Sequence, residues 1–243
     1  MQFTLSFHAD GLTIPMAYQY QVQSMIYALL RRDSALGSRL HPGAVHSGKA
    51  TVPFCLGSLN GEKTVLRSEK KLRFRGEISL ELRTADAALS GLLCALLRPG
   101  LEIKLFDQTL TLAGVEANQI TLPGSQYRIR MLSPLLVFSR TAGSKTVYHA
   151  PLDPEFAPLL LANAQRKYLE QRGKQMGALS IAALSVGARD KVVTQYKGTW
   201  MTGWKGAYLL RGAPEALSFL YDAGLGQRNA AGFGMFEIVE DGR

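Results

Sequence analysis

Cysteine is almost absent from this sequence. Cys55 and Cys94 are the only two in 243 residues, far apart and without metal-type spacing. A disulfide framework and a cysteine-rich zinc site are thereby excluded, and two free thiols suit a reducing compartment. Histidine is sparse too: His8, His41, His46 and His149 include no pair at the i,i+4 helical spacing of a metalloprotease. The sequence therefore offers no metal site and calls for no cofactor. Acidic residues are also few. Asp153/Glu155 reads as a helix-start charge preference and Glu240/Asp241 as a polar tail, so neither suits paired-carboxylate catalysis. No Gly-x-Ser-x-Gly elbow and no Walker-type loop occurs. The longest mostly apolar run, residues 87–97, is too short to cross a bilayer, and the first ten residues lack a signal-like apolar stretch. A soluble cytoplasmic protein with no membrane partner is expected.

What is abundant is positive charge. Lys and Arg number 28 against 19 Asp and Glu, a formal net charge of +9, with 47% apolar residues to build cores. The excess is shared: residues 1–125 carry 13 basic against 10 acidic residues, and residues 126–243 carry 15 against 9. Such a balance favours an anionic partner, nucleic acid first.

Periodicity predicts α+β architecture. Residues 2–8 alternate Phe3, Leu5 and Phe7 against polar neighbours, a half-buried strand. Residues 18–32 read as a helix with Val22, Ile26, Leu29 and Leu30 on its apolar face. Asn60-Gly61 reads as a hairpin turn between two short strands. Residues 71–83 alternate Leu72, Phe74, Ile78, Leu80 and Leu82 against an outward face that ends at Arg83. A helix over 85–97 and strands near 102–106 and 109–116 follow. The second half repeats the order: a strand over 126–138 broken at Pro134, a helix over 154–171, strands over 178–186, 191–197 and 200–210, a helix from Pro214, and a last strand. Two successive β-α-β-β-α-β units predict tandem ferredoxin-like (RRM-like) domains, residues 1–122 and 123–243.

The tail GLGQRNAAGFG, residues 224–234, holds Gly224, Gly226, Gly232, Gly234 and one cation, Arg228. Phosphate loops run from strand to helix, whereas this one runs from helix to strand, and Asn229 stands where a dinucleotide fingerprint needs glycine. Packing, or a grip on a nucleic-acid backbone, fits it better. Lys70, Lys71, Arg73 and Arg75 stud one strand, and Arg166 and Lys167 crowd a helix end. Further cations, Lys191, Lys197 and Lys205, lie near Tyr196, Trp200 and Trp204. Each group alone is explained equally well as a solvated face; together they suit a groove that follows phosphates. Trp200 and Tyr208 are either base-stacking platforms or core.

Residues 40–49, LHPGAVHSGK, place His41, His46 and Lys49 in one loop after the first helix. A histidine there can take a proton from a ribose 2′-hydroxyl, whose oxygen then attacks the adjacent phosphorus. Lys49 would stabilise the charge on the phosphate, and Tyr27 on the preceding helix would orient it or donate a proton. The competing reading makes His41 a helix-end cap and His46 a solvated loop residue.

Gly224-x-Gly226, then Gly232-Phe-Gly234 and a strand, resembles the C-terminal signature of the CRISPR-associated repeat-processing endoribonucleases, the Cas-six family. Tyr27 in MIYAL, Leu40-His41, and the strand PFCLGSL over residues 53–59 resemble that family's N-terminal pattern. The resemblance implies a tandem ferredoxin-like protein that binds CRISPR repeat RNA (pre-crRNA) and cuts it without metal, leaving a 5′-hydroxyl and a 2′,3′-cyclic phosphate. It assigns catalysis to His41, Tyr27 and Lys49, with His46 as the alternative base. The alternative function is a non-catalytic crRNA-binding scaffold in an interference complex. Partnership with other CRISPR-associated subunits and homodimer formation stay open.

Overall fold

The alternation of Phe3, Leu5 and Phe7 is realised as β1 (Gln2–His8), with all three side chains fully buried. A computed structural model describes residues 1–32, 54–141, 143 and 145–239. After β1 come β2 (Thr13–Pro15), α1 (Gln19–Leu30), β3 (Phe54–Leu66), β4 (Lys71–Thr84), α2 (Ala87–Leu96), β5 (Glu102–Leu105) and β6 (Gln108–Asn118). The sheet runs β3-β4-β1-β6-β5, with β2 added along β4 and every pairing antiparallel. Leaving aside β2 and β5, this is the ferredoxin-like order, in which the first strand lies between the third and the fourth. Val22, Ile26, Leu29 and Leu30 of α1 lie in the core against this sheet, as their helical spacing predicts. Asp86 starts α2 by accepting the Leu89 backbone N–H at 2.8 Å.

The second half repeats the pattern. It comprises β7 (Gln126–Met131), a hairpin β8 (Phe138–Arg140) and β9 (Thr146–Tyr148), α3 (Phe156–Arg172), β10 (Leu179–Ser185), a hairpin β11 (Lys191–Tyr196) and β12 (Thr199–Trp204), β13 (Ala207–Gly212), α4 (Pro214–Ala223) and β14 (Phe236–Ile238). The sheet order β10-β13-β7-β14 is again ferredoxin-like. Pro214 opens α4 at its first turn, where its missing N–H costs nothing. The two hairpins are insertions outside the four-stranded sheet, and both prove important for the site.

Three expectations need correction. Asn60-Gly61 is not a hairpin turn: β3 passes through it, and the turn lies at residues 67–70. The register jumps there from Gly61↔Ile78 to Glu62↔Arg75, so Asn-Gly marks a bulge opposite Gly76 and Glu77. Residues 200–210 are two strands, because Lys205-Gly206 turns the chain between β12 and β13. Arg83 is not outward-facing. It is 1% exposed, paired with Glu81, and donates to the carbonyls of Phe236 (2.7 Å) and Tyr221 (3.3 Å).

Arg83 thus ties β4 of the first sheet to α4 and β14 of the second half. Its guanidinium also lies 3.8 Å from the centre of the Tyr221 ring. Truncation would strand Glu81, whose side chain is 18% exposed, together with two carbonyls. Arg83→Ala should therefore lower stability by about 3 kcal/mol, the usual cost of breaking a buried pair, read as a reduced urea midpoint.

Candidate nucleic-acid interface

The glycine-rich tail is shaped from within by one lysine. On α3 the buried stripe Leu160, Ala164, Lys167 and Tyr168 follows helical spacing, which carries Lys167 inward to 2% exposure. Its ammonium donates to the carbonyls of Gly224 and Gly226 and to Asn229 Oδ1 (3.1 Å). Three acceptors meet the three donors of one ammonium. Burial pushes the Lys167 pKa down to about 7; the Cys55 side chain opposes that shift and the Arg166 charge adds to it. Cys55 itself is pushed up to about 12 by burial, and its thiol donates to Phe233 O at 3.6 Å.

Asn229 closes the loop. Its side-chain N–H groups donate to Leu225 O (2.9 Å) and Phe233 O (3.1 Å). Gly224, Gly226, Gly232 and Gly234 are all buried. A side chain at Gly234 (φ +77°) would place Cβ 1.9 Å from Leu225 O, and one at Gly226 (φ +64°) would meet Leu136 O at 2.5 Å. In this structure, then, these glycines meet protein. The residue the loop turns outward is Arg228, which is exposed in a left-handed conformation (φ 62°). Next to it, Gln227 pins β8 by accepting from Phe138 N (2.7 Å) and donating to Phe138 O (3.1 Å).

Arg228 stands in a cleft of about 870 Å³ between α1, α3, the glycine loop and the two inserted hairpins. Arg31, Arg140, Arg166, Lys167, Lys197 and Arg228 line it, and among the described residues none that lines it is acidic. Tyr20, Tyr27, Tyr148, Tyr196 and Phe138 supply aromatic surface. Burial, with Tyr196 adding to it, pushes the Tyr27 hydroxyl up to about 12. Tyr27 therefore stays protonated at neutral pH and serves as a hydrogen-bond donor. Its ring packs edge-on against Phe54 at 5.5 Å. Tyr196 is likewise raised to about 12 by burial, with the Arg228 charge pulling the other way.

Of the residues singled out in sequence, the cleft gathers Tyr27, Arg166, Lys167, Gly226 and Arg228. His41, His46 and Lys49 lie outside the described residues. Lys70, Lys71, Arg73 and Arg75 sit on the β3–β4 hairpin and do not line the cleft; Lys71 pairs with Glu69 and Arg75 with Glu62. His149 makes a local contact, with Nε2 2.9 Å from Ser139 Oγ. Tyr208 is core and Trp200 is exposed. Arg140 and Tyr148 were not legible in sequence, because β8 and β9 are three-residue strands with too few positions to show a period. Among the described residues no helix is long and apolar enough to cross a membrane.

Residues 118–238 match the family described as CRISPR associated protein Cas6, C-terminal. The chain belongs to the Cas6 family. Solved structures extend the likeness over the whole chain. The product of a Cas6-related gene from Pyrococcus furiosus is 18% identical, with a TM-score of 0.81 over 100% of this chain and 99% of that one. A RAMP protein described as binding different RNA substrates is 18% identical, with a TM-score of 0.80 over 99% and 100%. A Thermus thermophilus Cas6 product complex is 19% identical, with a TM-score of 0.68 over 98% and 99%. At such identities the likeness carries the fold, which is the tandem ferredoxin-like arrangement of this family. No curated protein matches the chain in sequence.

The Lys167 clamp leaves a signature in stability. Between about pH 7 and the ordinary value of 10.5 the unfolded chain holds a proton that the native chain has released. Native stability consequently rises with pH across that window, and the full burial penalty applies below it. Replacing Lys167 by Met removes this term. The unfolding free energy of the parent, read from urea titrations, should gain on that of Lys167→Met from about pH 6.5 to about pH 9.5, by a few kcal/mol at most.

Proposed function

We propose that this protein is an endoribonuclease that binds CRISPR repeat RNA and cuts it by attack of a ribose 2′-oxygen, without a metal ion. The observation that carries the reading is a cleft lined, among the described residues, by six cations and no carboxylate, with protonated Tyr27 among them. Such a lining suits a phosphodiester, since positive groups compensate each phosphate and stabilise the charge that builds as phosphorus becomes five-coordinate. Two ferredoxin-like units, residues 1–122 and 123–243, would each contribute one wall.

In this mechanism His41 accepts the 2′-hydroxyl proton. The 2′-oxygen forms a bond to phosphorus, the bond from phosphorus to the 5′-oxygen breaks, and that oxygen takes up a proton. The products are a 2′,3′-cyclic phosphate and a 5′-hydroxyl. Tyr27 donates a hydrogen bond to the phosphate, Lys49 neutralises it, and His46 is the alternative base. Arg31, Arg140, Arg166, Lys197 and Arg228 hold the flanking backbone. The glycines at 224, 226, 232 and 234 act through the loop they shape, and Lys167 acts by clamping it. Lys70, Lys71, Arg73 and Arg75 offer a second basic strip for RNA beyond the cleft. A crRNA-holding scaffold would need the same cations but neither Tyr27 nor His41, and the place of Tyr27 in the cleft favours cutting.

Incubation with repeat RNA in EDTA separates the readings. The parent and His46→Ala should cut, whereas His41→Ala should bind with unchanged affinity and fail to cut. Full activity in His41→Ala would remove that residue as the base, and cleavage of RNA bearing 2′-deoxyribose at the cut position would rule out the 2′-oxygen. Binding without cutting by the parent would leave the scaffold.

Arg228 gives a separate check on binding. Arg228→Ala should weaken RNA binding and reduce the slope of log K against log salt by about 1. An unchanged slope would place Arg228 off the phosphate path.

A further inference from the structure

The β11–β12 hairpin has two unlike faces. Tyr196 and Met201 turn inward and are 7% and 5% exposed. Val193, Gln195, Trp200 and Thr202 share the other face by cross-strand register. There Trp200 is 64% exposed, whereas Trp204, the only other tryptophan, is 8% exposed. An indole is a large apolar surface to leave in water, and none of the described residues covers this one.

The hairpin is nonetheless firmly seated. Tyr148 donates its hydroxyl to Trp200 O at 3.1 Å. Tyr196 packs edge-on against Tyr20 of α1 at 5.8 Å and donates to Gln23, while Lys197 Nζ lies 4.4 Å from the centre of the Tyr20 ring. Thr199 and Met201, on either side of Trp200, line the cleft from the hairpin's inner face, so the indole stands on the outer face of that cleft wall. Residues 191–205 contain three lysines, Lys191, Lys197 and Lys205, and no acidic residue.

We infer that Trp200 is a stacking platform for a nucleobase of RNA that runs from the cleft over the outer face of the hairpin, with Lys191, on the same face, and Lys197, at the hairpin turn, meeting the adjoining phosphates. This rests on the RNA-binding reading above. Charge selects the occupant: an isolated indole on a stretch that carries three lysines and no carboxylate suits a base with phosphates on either side. The apolar patch, one indole and Val193, is small for a protein interface. Stacking also uses a face that every base possesses, so the platform grips RNA without reading its sequence.

A single-tryptophan protein, Trp204→Phe, allows a direct test. Titration with repeat RNA should quench Trp200 fluorescence in step with the rise in anisotropy of end-labelled RNA. In the parent background, Trp200→Ala should raise Kd about 5- to 30-fold and Trp200→Phe should restore most of the loss. Cutting at saturating RNA should be unchanged. Should Trp204→Phe fail to fold, RNA protection of the parent against acrylamide quenching, compared with Trp200→Phe, gives the same readout. RNA binding that leaves Trp200 fluorescence and the Trp200→Ala affinity unaltered would overturn the inference. So would loss of self-association in Trp200→Ala with RNA affinity intact, which would assign the face to a protein partner. Absence of RNA binding by the parent would instead overturn the underlying reading of the cleft.

Discussion

One buried ammonium organises the centre of this molecule. Lys167 reaches from α3 to two loop carbonyls and the Asn229 side chain, and Asn229 ties the loop's two ends together. The loop in turn inserts Ala230 into the first core and Phe233 into a smaller cluster with Leu136, Tyr196 and Met201. Removing a charge from water is costly, and the arrangement offsets that cost only by satisfying every donor. Gly224, Gly226 and Gly234 follow from the tightness of this loop, where a Cβ would run into Asn229, Leu136 and Leu225, while Gly232 answers to its left-handed φ of +88°.

The cleft is a by-product of duplication with insertion. Each half is a four-strand, two-helix unit of the same order, but only the second carries the hairpins β8–β9 and β11–β12. These hairpins lie off the sheet: β11–β12 packs on α1 of the first half, and β8–β9 lies against β12 and the glycine loop. Their cations and tyrosines, together with those of α1 and the loop, converge from five separate stretches of chain. The convergence also explains the tyrosine chemistry: hydroxyls packed among apolar rings lose water and hold their protons.

Much of this was legible beforehand, and the gaps have physical causes. Alternation placed β1 and β4 correctly because one face of each is buried along its length. Helical spacing placed α1 for the same reason, and the helix-to-strand direction of the tail is that of α4 into β14. Asn60-Gly61 misled because a bulge and a tight turn ask for the same residue types. Arg83 misled because period-2 reading assumes that the second face meets water, whereas here its end meets the other half of the chain. Lys167 sat on an apolar stripe and was still taken for a surface cation, since charge usually overrides pattern when burial is judged from sequence. Short strands such as β8 and β9 carry too few positions to display any period at all.

The cleft also has a history in time. Its walls include Tyr20 and Tyr27 from near the start of the chain and residues 226–231 from near its end. On a ribosome the first sheet and α1 can pack early, yet the cleft-side face of α1 meets its partners only when α3, the two hairpins and the loop have emerged. A nascent or prematurely ended chain therefore carries basic and aromatic groups that are not assembled into a site. The cleft is assembled only after the glycine loop has been made.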